Sequence, residues 1–185
     1  MNDKIKDFCE NQKYTRITRQ VAEKAKEFSN GYIVDYSDNF IVMQMTDDFE
    51  LFGFEIYPIQ SIKNIRNNKH EKYYDKIMVW ENEKENLGVK TKVDLSTWTS
   101  IMKTFQKKKK NIIIECENPK ISSFNIGPIE RITVKSVYIR YFDAAGFFNE
   151  KLTKINFEDI TKIMFDDRYI DIFSKYTRKR KKSLK

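Results

Sequence analysis

Two stretches of this chain alternate apolar and polar residues, and they match each other. Residues 31–45 (GYIVDYSDNFIVMQM) and 127–141 (GPIERITVKSVYIRY) lie 96 positions apart. Each has a Phe three residues before its Gly (Phe28, Phe124) and an Ile two residues after it (Ile33, Ile129). Each then crosses a short polar stretch into an alternating run, Ile41, Met43 and Met45 in one, Val137, Ile139 and Tyr141 in the other. A period of two puts each set on one face of a strand.

The flanking segments extend the match. Asn2 or Asp3 is placed to cap a first helix, on which Ile5, Phe8 and Cys9 share a face. Asp94 or Ser96 is placed to cap a second, with the stripe Leu95, Trp98, Ile101, Met102 and Phe105. Strands are predicted at 14–19 (YTRITR) and 111–117 (NIIIECE) by their β-branched content. Residues 20–27 (QVAEKAKE) favour helix and read as a loop or one helical turn. Ser37, Asp38 and Asn39 form a turn, residues 46–50 another, and Pro58 marks an edge or the end of a strand over 52–59. Residues 67–72 read as a polar loop, 73–80 as a strand, and 169–176 as a closing strand. The closing pairs Ile62 with Ile65 and Ile160 with Ile163 are 98 positions apart, and the extra residues fit the longer turn at 143–149.

A polar stretch at 81–92 divides the chain into units 1–88 and 89–176, with a basic tail, 177–185, expected to be disordered. One helix and about five half-buried strands are too little sheet for a sandwich, so each unit is expected to curl into a small barrel around its own core. Gly31 and Gly127 stand where such strands must bend. The fold class is therefore mainly β with short helices, as two tandem five-stranded barrels.

Helix, strand, hydrophobic-x-x-Gly-x-Ile, a turn with Asp38, then FIVMQM resembles the Sm-like (SH3-like) small barrels. The tandem arrangement resembles a set of bacterial proteins with paired barrels of this kind, over nearly the whole chain. The resemblance implies ring assembly through barrel edges and reading of single-stranded RNA by an Asn in the first loop and an Arg-Gly pair in the last. Here Asn39 stands one position before the apolar residue, Lys135 takes its place in the second unit, and the closing strands end in Arg66-Asn67 and Met164-Phe165. The family's RNA pocket is not carried over.

Composition adds a location for charge. The net charge is +8, of which Arg178, Lys179, Arg180, Lys181, Lys182 and Lys185 supply six, leaving a near-neutral body. Cys9 and Cys116 are lone residues without CxxC spacing, which suits free thiols in a reducing compartment. No apolar run reaches the roughly 18 residues of a membrane span, and MNDKIKDF has no hydrophobic signal core. A cytoplasmic protein is expected.

Chemical signatures are sparse. His70 is the sole His, so neither a usual zinc site nor a Ser-His or Cys-His arrangement can be assembled. Asp47, Asp48 and Glu50 read as solvated turn acids, and five Gly form no phosphate loop. No catalytic group, metal or cofactor is expected. Lys107 to Lys110 suit the negative end of a helix dipole.

Binding surfaces remain. The period of two puts Tyr138, Arg140 and Phe142 on one outward face, and Phe40, Val42 and Gln44 on the matching one. Phe40, Val42, Tyr138 and Phe142 suit an interface, between the units or between copies. Arg140 with Arg178, Lys179, Arg180, Lys181 and Lys182 suits nucleic acid. The function expected is a non-enzymatic binding or scaffold module engaging a protein partner or itself. RNA or single-stranded nucleic acid is the alternative.

Overall fold

The chain opens on α1 (Asn2–Glu10) in the computed structural model, which describes residues 1–179. Ile5 and Phe8 are its buried positions, as their spacing requires. β1 (Tyr14–Ala22) and β2 (Ala25–Tyr36) form a hairpin whose ladder runs from Tyr14↔Tyr32 to Ala22↔Ala25. Residues 20–27 are therefore strand and a tight turn, not the loop or helical turn that composition predicts. Pairing and the burial of Val21 outweigh a weak helix propensity.

β3 (Phe40–Asp47) and β4 (Glu50–Pro58) are joined through Asp48 (φ 44°) and Phe49 (φ 66°). Two successive positive φ values match the twist of a two-residue hairpin. After a 3-10 turn at Ile59–Ser61, β5 (Ile62–Arg66) returns to pair with β1.

α2 (Lys69–Trp80) then replaces the expected polar loop and strand. The cause is a capping box. Asn68 Oδ1 accepts the His70 N–H (3.0 Å), and the Glu71 carboxylate accepts the Asn68 N–H (2.9 Å).

The second half repeats this order. α3 (Trp98–Lys107) is capped by Thr97, not by Asp94 or Ser96, with Thr97 Oγ1 accepting the Ser100 N–H. Ile101, Met102 and Phe105 of the expected stripe are fully buried. β6 (Ile112–Cys116), β7 (Ser123–Gly127), β8 (Ile129–Ile132), β9 (Ser136–Ile139), β10 (Thr153–Asn156) and β11 (Lys162–Phe165) follow. The expected closing strand at 169–176 is instead α4 (Arg168–Lys175), capped by the Asp167 side chain on the Tyr169 and Ile170 N–H groups.

Gly31 and Gly127 hold the same conformation, with φ of 155° and 150°. A Cβ at Gly31 would lie 2.1 Å from the Gln44 carbonyl oxygen, and one at Gly127 2.2 Å from that of Arg140. Each contact falls thirteen residues downstream. At both places the bent strand presses its backbone onto the next strand, which only glycine permits.

The strands form an eight-stranded sheet, ordered β5-β1-β2-β3-β4-β11-β6-β7, and a three-stranded sheet, β10-β9-β8. Both are antiparallel and neither closes. The protein is mainly β, with two open sheets where two closed barrels were expected. β4 pairs with β11, so one ladder joins the halves through Phe54↔Phe165, Glu55↔Met164 and Ile56↔Ile163.

The cores follow from that joint. Alternation along β3 sends Ile41 and Met43 to a cluster with Ile5, Phe8, Ile17 and Tyr57, confined to the first half. It sends Phe40 and Val42 the other way, into the largest cluster, with Ile101, Phe105, Ile114, Val137, Ile139 and Phe165. That core belongs to both halves, so the expectation of a separate core for each is corrected.

Candidate functional site

Helices cover the outer sheet faces unevenly, and this decides what remains for a ligand. α4 covers the outer face of β6–β7, where Ile113, Ile126 and Phe142 pack with Ile170. α2 covers one end of β1–β2, where Tyr14 and Tyr32 pack with Met78 and Tyr74 stacks on Tyr14 (centroids 4.2 Å apart).

The outer face of the three-stranded sheet carries a different row. Arg131 on β8 lies opposite Tyr138 on β9, which lies opposite Lys154 on β10. Neighbouring strands sit about 4.8 Å apart, so the three side chains stand side by side. The Arg131 guanidinium lies 3.8 Å from the centre of the Tyr138 ring, a cation–π contact. Arg131 and Lys154 are exposed and Tyr138 is half-buried between them.

Arg140 is the next outward residue on this strand's path. It donates from Nε to Glu130 (2.9 Å) and from Nη1 to the Asn149 and Glu150 carbonyls (3.3 Å each). Arg178 clasps the same loop, donating to the Ala145 carbonyl (3.1 and 3.2 Å) and lying 4.2 Å from the centre of the Phe147 ring. Arg178 is thus held against the loop that Arg140 also holds. Lys179 follows there, exposed. Arg180, Lys181 and Lys182 lie outside the described residues.

Tyr138 and Arg140 therefore share a face as their spacing predicts, but Phe142 does not. β9 ends at Ile139, and Phe142 turns inward, 1 % exposed, beneath α4. Phe40 and Val42 are equally buried, in the core shared by the two halves. Arg131 and Lys154 were not visible as partners of Tyr138, because cross-strand register is not written in a period of two. The short turn at 133–135 is the one signal that brings Arg131 opposite Tyr138.

A second polar constellation is buried at the joint of the halves. Arg19 on β1, 1 % exposed, donates from both terminal nitrogens to the Glu117 carboxylate (2.6 and 2.9 Å) and lies 4.2 Å from the centre of the Tyr57 ring. Lys162 on β11 reaches Glu115 (3.2 Å), Glu55 (3.5 Å) and Glu117 (3.7 Å). The Tyr57 hydroxyl donates to Ser29 (2.7 Å) and touches the Glu55 carboxylate. Burial pushes the Glu55 carboxyl above its ordinary value, against the pull of Lys162 and Arg19. Burial also raises Glu117, but the Arg19 hydrogen bonds and charge, with Thr161 and Lys162, together outweigh it and hold that carboxyl low. These groups tie the halves together and offer no open face.

A polar cleft of about 620 Å³ lies between the β3–β4 hairpin and α4, lined by Gln44, Glu50, Lys90, Asp166, Arg168 and Asp171 among others. Asp166 there is engaged by Lys110 and Thr91. His70 is exposed on the first turn of α2. Among the described residues no group of three His, Cys, Asp or Glu side chains could hold a metal ion. Cys9 and Cys116 are free, and burial raises both thiols. No helix of the described residues is long and apolar enough to cross a membrane.

Comparison of the chain with family models, with curated proteins and with solved structures gives no match.

Proposed function

We propose that this protein is a non-enzymatic binding module that takes single-stranded nucleic acid on the outer face of β8–β10. The row Arg131–Tyr138–Lys154 carries the reading. An aromatic ring between two cations matches a ligand that alternates flat bases with phosphates. Bases stack on Tyr or on a guanidinium plane, and the cations neutralise the backbone. The position of Arg178 supports the same ligand, because the basic residues that follow it in the sequence start from the loop that Arg140 and Arg178 hold.

Self-association through edges and aromatic faces ranks behind this reading. Phe40, Val42 and Phe142 are occupied within the chain. Among the described residues the sheets end at β5 and β7 and at β10 and β8, and of these β5 and β10 carry Lys63, Arg66 and Lys154. Lysine on an edge strand opposes pairing with another sheet, and two basic edges repel. The internal joint, by contrast, sets Glu55 and Glu117 against Lys162 and Arg19.

The chain is also read as two copies of an Sm-like unit opened out at the β4–β11 joint. The matching glycine bends and the repeated order of helix, strands and closing helix support that descent. The free thiols support a cytoplasmic setting.

The test is a fluorescence anisotropy titration with a labelled oligothymidylate and its RNA counterpart. Stacking contributes about 1–3 kcal/mol per base, so Tyr138→Ala should weaken binding roughly five- to hundredfold. Arg131→Ala and Lys154→Ala should weaken it and lower its salt dependence. Unchanged binding in all three variants, or none to the parent protein at low salt, would remove the proposal.

A further inference from the structure

A second bare face of the sheet shares this chemistry on the opposite half of the chain. The ladder sets Arg66 of β5, Arg16 of β1 and Asn30 of β2 in one outward row. Phe28 stands one row further along β2, opposite Thr18, and remains 52 % exposed. The Arg16 guanidinium lies 4.5 Å from the centre of its ring. Lys26 stands one row further still, opposite Gln20, and is exposed.

The contrast with the second half is informative. Counting by the repeat, Arg16 and Asn30 correspond to Ile113 and Ile126, which α4 covers. In the first half α2 covers only the apolar end of the face, Tyr14 and Tyr32, and leaves the rest bare. Where no helix lies, Arg16 and Asn30 stand in place of Ile, while Phe28 matches Phe124, itself 47 % exposed. The acids reaching this face from α2 are Glu71, 5 % exposed and engaged by Arg66 (2.6 Å) and the Asn68 N–H, and Asp75, engaged by Tyr32 (2.8 Å) and Lys84 (2.9 Å). The free charge of the face is therefore positive.

We infer that this face is a second contact surface for single-stranded nucleic acid, so that one chain grips a strand at two places. The inference rests on the reading of β8–β10 for its ligand class, and on separate residues for its location. A base stacks on the exposed side of Phe28 beside the Arg16 plane, and phosphates meet Lys26 and Arg66. Two such contacts on one chain raise the affinity for a long strand above that of either alone.

Phe28 and Lys26 are exposed, so Phe28→Ala/Lys26→Ala leaves the core intact. The full chain is titrated with short oligothymidylates, with stoichiometry read by sedimentation, and with a long oligothymidylate. The parent protein binds two short strands per chain. Phe28→Ala/Lys26→Ala binds one, Arg131→Ala/Tyr138→Ala binds one, and each loses at least about tenfold in affinity for the long strand.

A stoichiometry of one, abolished by Arg131→Ala/Tyr138→Ala and untouched by Phe28→Ala/Lys26→Ala, overturns this inference and leaves the first site standing. No binding by the parent protein overturns both. Binding to phosphatidylserine vesicles that is lost in Phe28→Ala/Lys26→Ala, with one short strand still bound, overturns the ligand assigned to this face. Unfolding midpoints of both double variants establish that the losses are not unfolding.

Discussion

Replacing Arg19 by Met should be among the most damaging single changes this fold can suffer. The guanidinium is 1 % exposed and holds Glu117, itself only 12 % exposed, by two hydrogen bonds across the joint of the halves. Arg19→Met keeps much of the volume and removes the charge. Glu117 is left with Lys162 at 3.7 Å and little water. Breaking a buried pair from one side costs about 3–5 kcal/mol. With a urea slope of about 1–3 kcal/mol per M, the midpoint should fall by at least about 1 M. The double variant Arg19→Met/Glu117→Met removes both charges and should recover most of the loss, since an apolar pair of similar volume is often neutral or better. Urea unfolding of parent, both single variants and the double closes a thermodynamic cycle. A loss in Arg19→Met below about 1 kcal/mol, the worth of an exposed pair, would refute the reasoning. So would a double variant no more stable than the single.

Three further outcomes are expected. Gly127→Ala should lose at least about 1–3 kcal/mol by the same assay, because its Cβ would meet the Arg140 carbonyl at 2.2 Å; a loss under about 0.5 kcal/mol would mean the bend tolerates a side chain. The raised Glu55 carboxyl contributes stability that is complete below its ordinary value near 4.5 and is lost as pH rises through the folded value. The lowered Glu117 carboxyl contributes stability that is complete above 4.5 and is lost as pH falls through the folded value. Unfolding free energies against pH should then lose the alkaline-side decline in Glu55→Gln and the acid-side decline in Glu117→Gln, and unaltered profiles would contradict the assignment. Light scattering should give a mass near 22.3 kDa at all concentrations, whereas a dimer or ring would contradict ranking self-association behind nucleic-acid binding.

Much of the strand content was legible because alternation survives any topology. The runs after Gly31 and Gly127 are strands, and Ile5, Phe8, Ile101, Met102 and Phe105 are buried as their helical spacing requires. The closing helices were missed because aromatic and β-branched residues dominate both expected strands, 73–80 and 169–176, while the decisive information sits in single caps, Asn68 with Glu71 and Asp167. The open sheets were not legible either. Which edge β4 chooses depends on residues far apart in the chain, Glu55 and Lys162 or Arg19 and Glu117, and no local pattern announces such pairs. One of the three residues of the candidate row was visible for the same reason. Tyr138 follows from period two along one strand, but Arg131 and Lys154 follow only from register across three.

An NMR titration of the labelled protein with a short oligothymidylate tests the proposed binding surface most directly. Chemical shift changes should include the amides of Ile129–Ile132, Ser136–Ile139 and Thr153–Asn156, flanking the row of Arg131, Tyr138 and Lys154, with a second set around Arg16, Lys26 and Phe28 if the second face also binds. Changes confined to the cleft between α4 and the β3–β4 hairpin, or no changes at saturating oligonucleotide, would contradict it.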